Sequence, residues 1–386
     1  SGQSISAFLQ PGNYFEAGIS ILDPDVSGKT NANGSSLSDM GDDYYFPSAA
    51  LKLQVTDHFS FGLLYDQPFG ADATYSTTDS ALAPNGSGLF HNGTESTEVE
   101  VKTQSISMIF GYQPTENFNF YAGPVYQTIE GDVQLRGLAY GATQALGMYN
   151  ADLDEDGAVG WLAGFAYQIP EIALKTSITY RSEIDHKASA REYGQSNVLA
   201  FVGSSPVYDV ATDANITTPQ SVNLDFQTGI MANTVAFANV RWVNWKDFSL
   251  DLKQFGTVAD TLGALGQTPD NPNGFDIVGY TDDQWSANVG VGRKFNDLWA
   301  GNVSVGWDSG AGNPISTLGP TEGYWNVGLG LQYSPTPATF IAGGVKYFWL
   351  GDAKAQVASN FGSDTYVAEF NDNDALAYGL KIGYKF

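Results

Sequence analysis

The chain has 386 residues with no composition break that would divide it, which is long for one ordinary soluble core. Charged residues make up only 15% and aromatics 13%, and no apolar run is long enough for a membrane helix. A net charge of -25 argues against nucleic-acid binding, which needs clustered Lys and Arg, and the lack of cysteine excludes disulfides and thiolate metal sites.

Residues 1–13 read as a short N-terminal segment, periplasmic or lumenal, and the polar start at Ser1 reads as a processed mature chain. From 14 to 386 the pattern is β throughout. Strands are predicted at 14–22, 44–56, 59–69, 96–112, 118–136, 159–169 and 172–187. Seven more follow at 219–231, 235–250, 282–295, 298–308, 322–334, 338–352 and 372–386. The signal is period two. Ile106, Met108, Phe110 and Tyr112 alternate with Ser105, Ser107 and Gly111. Val222, Leu224 and Phe226 alternate with Asn223, Asp225 and Gln227, and Trp325, Val327 and Leu329 with Asn326, Gly328 and Gly330. The last strand is the clearest: Leu376, Tyr378, Leu380, Ile382, Tyr384 and Phe386 share one face, opposite Ala377, Gly379, Lys381 and Gly383.

A soluble sandwich and a membrane barrel both alternate in this way, and the connections decide between them. Tight turns at Asp57-His58, Gln113 to Asn117, Pro170-Glu171, Ala232 to Thr234, Asn296-Asp297 and Pro335 to Pro337 alternate with long polar stretches. Aromatics such as Trp285, Trp299, Trp307 and Tyr333 gather at strand ends, as interfacial girdles do. This is an all-β transmembrane antiparallel barrel of about 14 strands, with short periplasmic turns and long external loops, in a bacterial outer membrane. Its expected surroundings are lipid and lipopolysaccharide, and its terminal Phe386 is the aromatic that barrel-assembly machinery reads.

Patches along the chain then carry a family resemblance. They are Phe15-Glu16-Ala17-Gly18 leading to Asp23-Pro24-Asp25-Val26-Ser27-Gly28, then Pro68-Phe69-Gly70, and Thr179-Tyr180-Arg181-Ser182-Glu183. Trp242-Val243-Asn244-Trp245-Lys246-Asp247-Phe248 and Trp307-Asp308-Ser309 with Tyr324-Trp325-Asn326 follow in order. In these the sequence resembles the FadL family of outer-membrane transporters for long-chain fatty acids and hydrocarbons. The resemblance implies a barrel plugged by an N-terminal hatch, capture of a hydrophobic small molecule by external loops, and passive lateral exit through a kink in the third strand. Here that kink falls at Asp66, Gln67, Pro68, Phe69 and Gly70; Pro removes a ladder donor and Gly permits a bend, so the residues support it independently. A strand simply ending at Pro68 is the other reading. Two departures stand out: residues 1–13 are a much reduced hatch, and the family's basic pair for a carboxylate is poorly matched, with Arg136 near the first position and Asp282 near the second. An acidic lumen favours neutral cargo over fatty acids.

The expected capture surface comprises Leu138, Tyr140, Leu146, Met148 and Tyr149 in one loop and Leu199, Phe201 and Val202 in another, with Arg136 as the candidate headgroup contact. Loop-to-loop packing explains the same residues. Asp152, Asp154 and Asp156, followed by Gly157, match the start of a calcium loop, but Ala163 stands where the closing Glu belongs, so a solvated acidic rim is the competing reading. No other cofactor is implied. Lys175 and Arg181 are expected to face the lumen, with Arg181 and Glu183 in an internal ion-pair network. The three histidines form no recognisable catalytic set, since Asp185 and His186 point to opposite faces of a strand, so an enzyme is not expected. The functional alternatives are a general diffusion porin for polar solutes and a structural or adhesin barrel.

Overall fold

A computed structural model describes residues 2–386. A single antiparallel sheet closes on itself, with the first strand paired to the last. The wall is β1 Tyr14–Asp25, β2 Tyr44–Gln54, β3 Phe59–Asp66 and Gly70–Thr74, β4 Glu98–Thr115, β5 Phe118–Arg136 and β6 Met148–Ile169. It continues with β7 Leu174–Arg181 and Ile184–Gln195, β8 Val207–Thr218 and Ser221–Met231, and β9 Thr234–Val243 and Ser249–Leu252. It ends with β10 Gln284–Lys294, β11 Trp299–Asp308, β12 Tyr324–Thr336, β13 Thr339–Leu350 and β14 Asp374–Lys385. The barrel therefore has 14 strands, as the alternation predicts. Ile106, Met108, Phe110, Phe120, Trp161 and Leu380 are exposed on the outside, where only lipid can cover them.

Strands β6 to β8 run further outward than the sequence predicts, to the height that β4 and β5 reach. Above the lipid band their outer face meets water, so the apolar half of the alternation disappears; Glu98, Glu100 and Lys102 continue the outward register of Ile106. This corrects the reading of Asp152 to Gly157 as a loop: the run lies inside β6. Between the pairs Ile129–Asp156 and Gly131–Leu153 the ladder slips by one residue, and this bulge turns Asp152 and Asp156 to opposite faces. Asp152 lies opposite Asp132, whereas Asp156 Oδ2 meets buried His186 Nδ1 at 3.1 Å.

The external loops build a packed cap. Five short strands, Gly28–Thr30, Ser36–Leu37, Ile315–Ser316, Ala353–Gln356 and Ala368–Phe370, form a second sheet over the mouth. Helix α1, Lys253–Ala264, packs on the 3₁₀ turn Asn197–Val202 and on the outer part of β8. Tyr75, Phe90, Tyr149, Phe255 and Phe370 are fully buried in the largest apolar cluster, which belongs to this cap and the outer lumen.

A second cluster lies in the inner half of the lumen, beside a cavity of about 500 Å³ that separates the N-terminal segment from Gly18, Asn302, Gly328 and Lys381 of the opposite wall. It forms where Ile5, Phe8 and Leu9 of the N-terminal segment meet Ile109, Tyr121 and Leu162 of the wall. Phe8 sits edge-on to Tyr121 at 5.5 Å, and a β-carbon on Gly62 would lie 2.5 Å from its ring, so the missing side chain admits it. Wall cations bind the segment's carbonyls: Lys52 Nζ donates to Gly12 at 2.8 Å, Lys175 Nζ to Leu9 at 3.1 Å, and Arg241 Nη1 to Gly2 at 3.1 Å. Arg181 belongs to this set, donating to Gln3 O at 3.3 Å and Ser107 Oγ at 3.1 Å. The expected Arg181–Glu183 pairing does not occur. β7 breaks at Ser182 and Glu183, the register flips, and Glu183 is exposed.

Candidate functional site: an apolar cavity behind an interrupted wall

Four strands are interrupted at one level. The break in β7 after Arg181 faces Pro219 and Gln220, where β8 breaks because proline has no amide hydrogen to donate. The β8 break in turn faces the 3₁₀ turn Trp245–Asp247 that splits β9. Across the lumen, β3 is interrupted at Gln67, Pro68 and Phe69. Between the pairs Asp66–Ser105 and Gly70–Lys102 β3 takes four steps and β4 three, so one residue is extruded. The Thr103 hydroxyl satisfies the displaced backbone of Phe69, accepting from its amide at 2.9 Å and donating to its carbonyl.

These interruptions surround a cavity of about 430 Å³. Val99, Val101, Ile129, Ile216, Leu252 and Ile277 form its sides. Its aromatic end comes from the broken strands: Phe69 lies edge-on to Trp245 at 5.5 Å, and Trp245 meets Phe248 at 5.5 Å and Tyr280 at 5.1 Å. Trp245 Nε1 is tied down by Gln284 Oε1 at 2.7 Å. Among the described residues no Lys, Arg or His lines the cavity; its ionisable carboxylates are Glu130 and Asp308, the latter accepting from Gln284 Nε2 at 2.8 Å and the Gly310 amide at 2.8 Å.

A smaller cavity of about 230 Å³ lies outside it, between the loop at Tyr140 and Leu146, Val198, and helix α1 at Phe255 and Leu262. Ile277 and Leu318 line both, so the two are neighbours. Of the capture residues expected from sequence, Tyr140 and Leu146 line this outer cavity. Tyr149 and Leu199 are buried in the cap instead, while Leu138, Phe201 and Val202 are exposed on its surface. Met148 is half-buried at the start of β6. The eight do not form one groove.

Arg136 lines neither cavity. Its guanidinium is buried and bound by Asn150 Oδ1 at 2.8 Å, the Leu135 carbonyl at 2.8 Å and Glu95 Oε2 at 3.3 Å, which leaves it facing its own loop base. The gate residues expected at Asp66, Gln67, Pro68, Phe69 and Gly70 do lie together, and Phe69 and Gly70 line the larger cavity. Among the described residues no group of three or more His, Asp or Glu is arranged to hold a metal. Sequence reading missed Trp245 and Phe248 as lining residues. The interruption Asn244-Trp245-Lys246-Asp247 inside an otherwise alternating strand is the signal that finds them.

A family model described as outer membrane protein transport protein (OMPP1/FadL/TodX) matches residues 4–386. Among solved structures, a Pseudomonas aeruginosa FadL homologue superposes with a TM-score of 0.72 at 15% identity, covering 99% of this chain and 92% of that one. The Pseudomonas putida toluene transporter TodX gives 0.66 at 14%, covering 100% and 92%, and the Ralstonia pickettii toluene transporter TbuX 0.59 at 12%, covering 99% and 91%. No curated protein matches the chain in sequence.

Proposed function

We propose, from the premise that this chain belongs to the OMPP1/FadL/TodX family of outer-membrane transport proteins, that it admits neutral hydrophobic small molecules by passive diffusion. One observation carries this reading: the cavity of about 430 Å³ behind the third-strand kink is walled mainly by aliphatic and aromatic side chains and, among the described residues, has no cationic group. A fatty-acid carboxylate entering it would lose its hydration and gain no cationic partner, which costs far more than the roughly 2–7 kcal/mol of an unpaired neutral polar group. A neutral hydrocarbon gains about 25 cal/mol for each Å² it buries. The toluene named for two of the structural relatives is cargo of that character.

The route runs from the outer cavity past Ile277 and Leu318 to the aromatic end, and from there sideways through the gap that the kink opens between β2 and β3. The N-terminal segment, packed on the wall through Phe8 and held by Arg241, narrows the straight path below, which favours this exit over the periplasm. Nothing in this scheme calls for bond chemistry, so the protein acts as a conduit and not as an enzyme. Uptake by cells that depend on this protein separates cargo classes. Ethylbenzene is expected to enter faster than 4-ethylbenzoate, which shares its skeleton and adds a charge. Equal rates, or faster entry of the benzoate, would refute neutral selectivity.

A further inference from the structure

The kink leaves a row of β2 without a partner. β3 pairs with β2 only from Ala49–Tyr65 to Gln54–Ser60, so Tyr44 to Ser48 pair with β1 on one side and with nothing in β3 on the other. Above this stretch the two chains meet again, with the Asp42 amide on the Asp72 carbonyl at 3.2 Å and the Thr74 amide on the Met40 carbonyl at 2.9 Å. The result is a bounded window in the wall, open for the length of the kink. The window's lower end, level with Ser105 and Ile106, is at lipid depth, where unpaired backbone is tolerated only if something else covers it.

Tyr44 covers it. Tyr44, Phe46 and Ser48 share the inward register of buried Ala50 and Lys52, and the Tyr44 and Phe46 rings pack at 4.5 Å. The Tyr44 hydroxyl reaches across the window and donates to the Val101 carbonyl of β4 at 3.3 Å. It passes through the space above Gly70: a β-carbon there would lie 1.4 Å from the tyrosine oxygen. Gly70 is therefore glycine for a reason beyond backbone bending, since any side chain would evict the phenol.

We infer that Tyr44 is the gate of this window, a latch that holds the lateral opening shut through its bond to Val101 and swings out of the Gly70 notch when cargo leaves the cavity. The inference rests on the lateral route proposed above and assigns its moving part. Val101 and Gly70, the two residues the Tyr44 hydroxyl lies against, both line the cavity, so cargo seated there is one residue's thickness from the latch. A single hydrogen bond of about 1 kcal/mol is strong enough to bias the closed state and weak enough to be broken by thermal motion.

The test uses cells carrying the full chain and radiolabelled ethylbenzene, with folded barrel quantified in outer-membrane fractions for each variant. Tyr44→Phe removes the bond and keeps the ring; its uptake per folded barrel is expected to rise about 2- to 10-fold, the shift one lost hydrogen bond gives. Gly70→Ala reaches the same end from the other side by displacing the phenol, and is expected to do likewise. Ser48→Trp fills the window from the lumen and is expected to abolish uptake. If Ser48→Trp stops uptake while Tyr44→Phe and Gly70→Ala leave it at the parental rate, the exit stands and the latch is overturned. Should Ser48→Trp transport normally, the lateral route itself is wrong and the latch falls with it.

Discussion

Arg241 holds Gln3 inside the barrel: its Nη2 donates to the glutamine Oε1 at 2.7 Å, while Nη1 bonds Gly2 O and Asn223 Oδ1. A buried guanidinium is normally a liability, and here twelve or so residues of inserted chain supply the acceptors that a wall alone lacks. Replacing it by Met deletes hydrogen bonds made by a charged group, each worth about 1.5–3 kcal/mol. Arg241→Met is therefore expected to free the segment and raise ion leak in planar bilayers, while the parental protein stays nearly silent. An unchanged trace would mean that Phe8 and its apolar neighbours hold the plug without this cation.

The cap has its own anchor. Glu192, fully buried on β7, accepts from the amides of Gln254 and Phe255 at 2.9 Å each, and from the hydroxyls of Tyr149 and Thr212 at 2.6 Å each. A carboxylate from a distant strand thus caps the N-terminus of helix α1, where a negative charge is favoured. Glu192→Gln is expected to speed hydrogen exchange across 253–264 at least tenfold, consistent with a loss of about 1.5–3 kcal/mol. Exchange confined to its parental rate would show that apolar packing alone seats the helix.

Glu322, in the external connection before β12, gives the cap a pH dependence. Burial, with Asp282 and Asp308 nearby, pushes its carboxyl up to about 7, and its Oε2 is buried without a hydrogen-bond partner. Because folding raises this pKa from its ordinary 4.5, the folded loop holds the proton more tightly than the unfolded chain. The stabilisation is complete below about 4.5 and disappears as pH rises through about 7. Thermal unfolding of the cap followed from pH 5 to 8 should shift to lower temperature, and Glu322→Gln should flatten that slope. A slope identical in the variant would assign it to other carboxylates.

Trp245 closes the aromatic end of the cavity against Phe69, Phe248 and Tyr280. Trp245→Leu keeps the site apolar but removes those ring contacts, each worth about 0.5–1.5 kcal/mol. Affinity of the purified protein for a monoaromatic hydrocarbon should fall about 2- to 10-fold, with little change for a linear alkane of similar size. Equal losses for both ligands would place the effect in cavity shape and not in the rings.

The barrel was legible because lipid enforces period two on every strand that crosses it, and β14 shows the rule from Leu376 to Tyr384. Legibility ended where lipid ends. Above the membrane the outer face of β6 is acidic, so Asp152 to Gly157 reads as loop although it is strand. The flips at Glu183 and at the β5–β6 bulge have no period-two signature, and each reassigned a charged side chain to a different face. The third-strand interruption was readable from Pro68 and Gly70, because proline and glycine state their backbone consequences locally. Its partners were not. Tyr44 and Trp245 reach the same place through β2 and β9, far away in sequence, and only closure of the barrel brings them together.

The most direct measurement is a crystal structure of the protein soaked with a brominated monoaromatic hydrocarbon, read by bromine anomalous scattering. The account requires a bromine peak between Phe69, Trp245 and Val101, with no counterpart when the brominated carboxylic acid is used instead. A cavity that stays empty of hydrocarbon, or that takes the acid in preference, would contradict it.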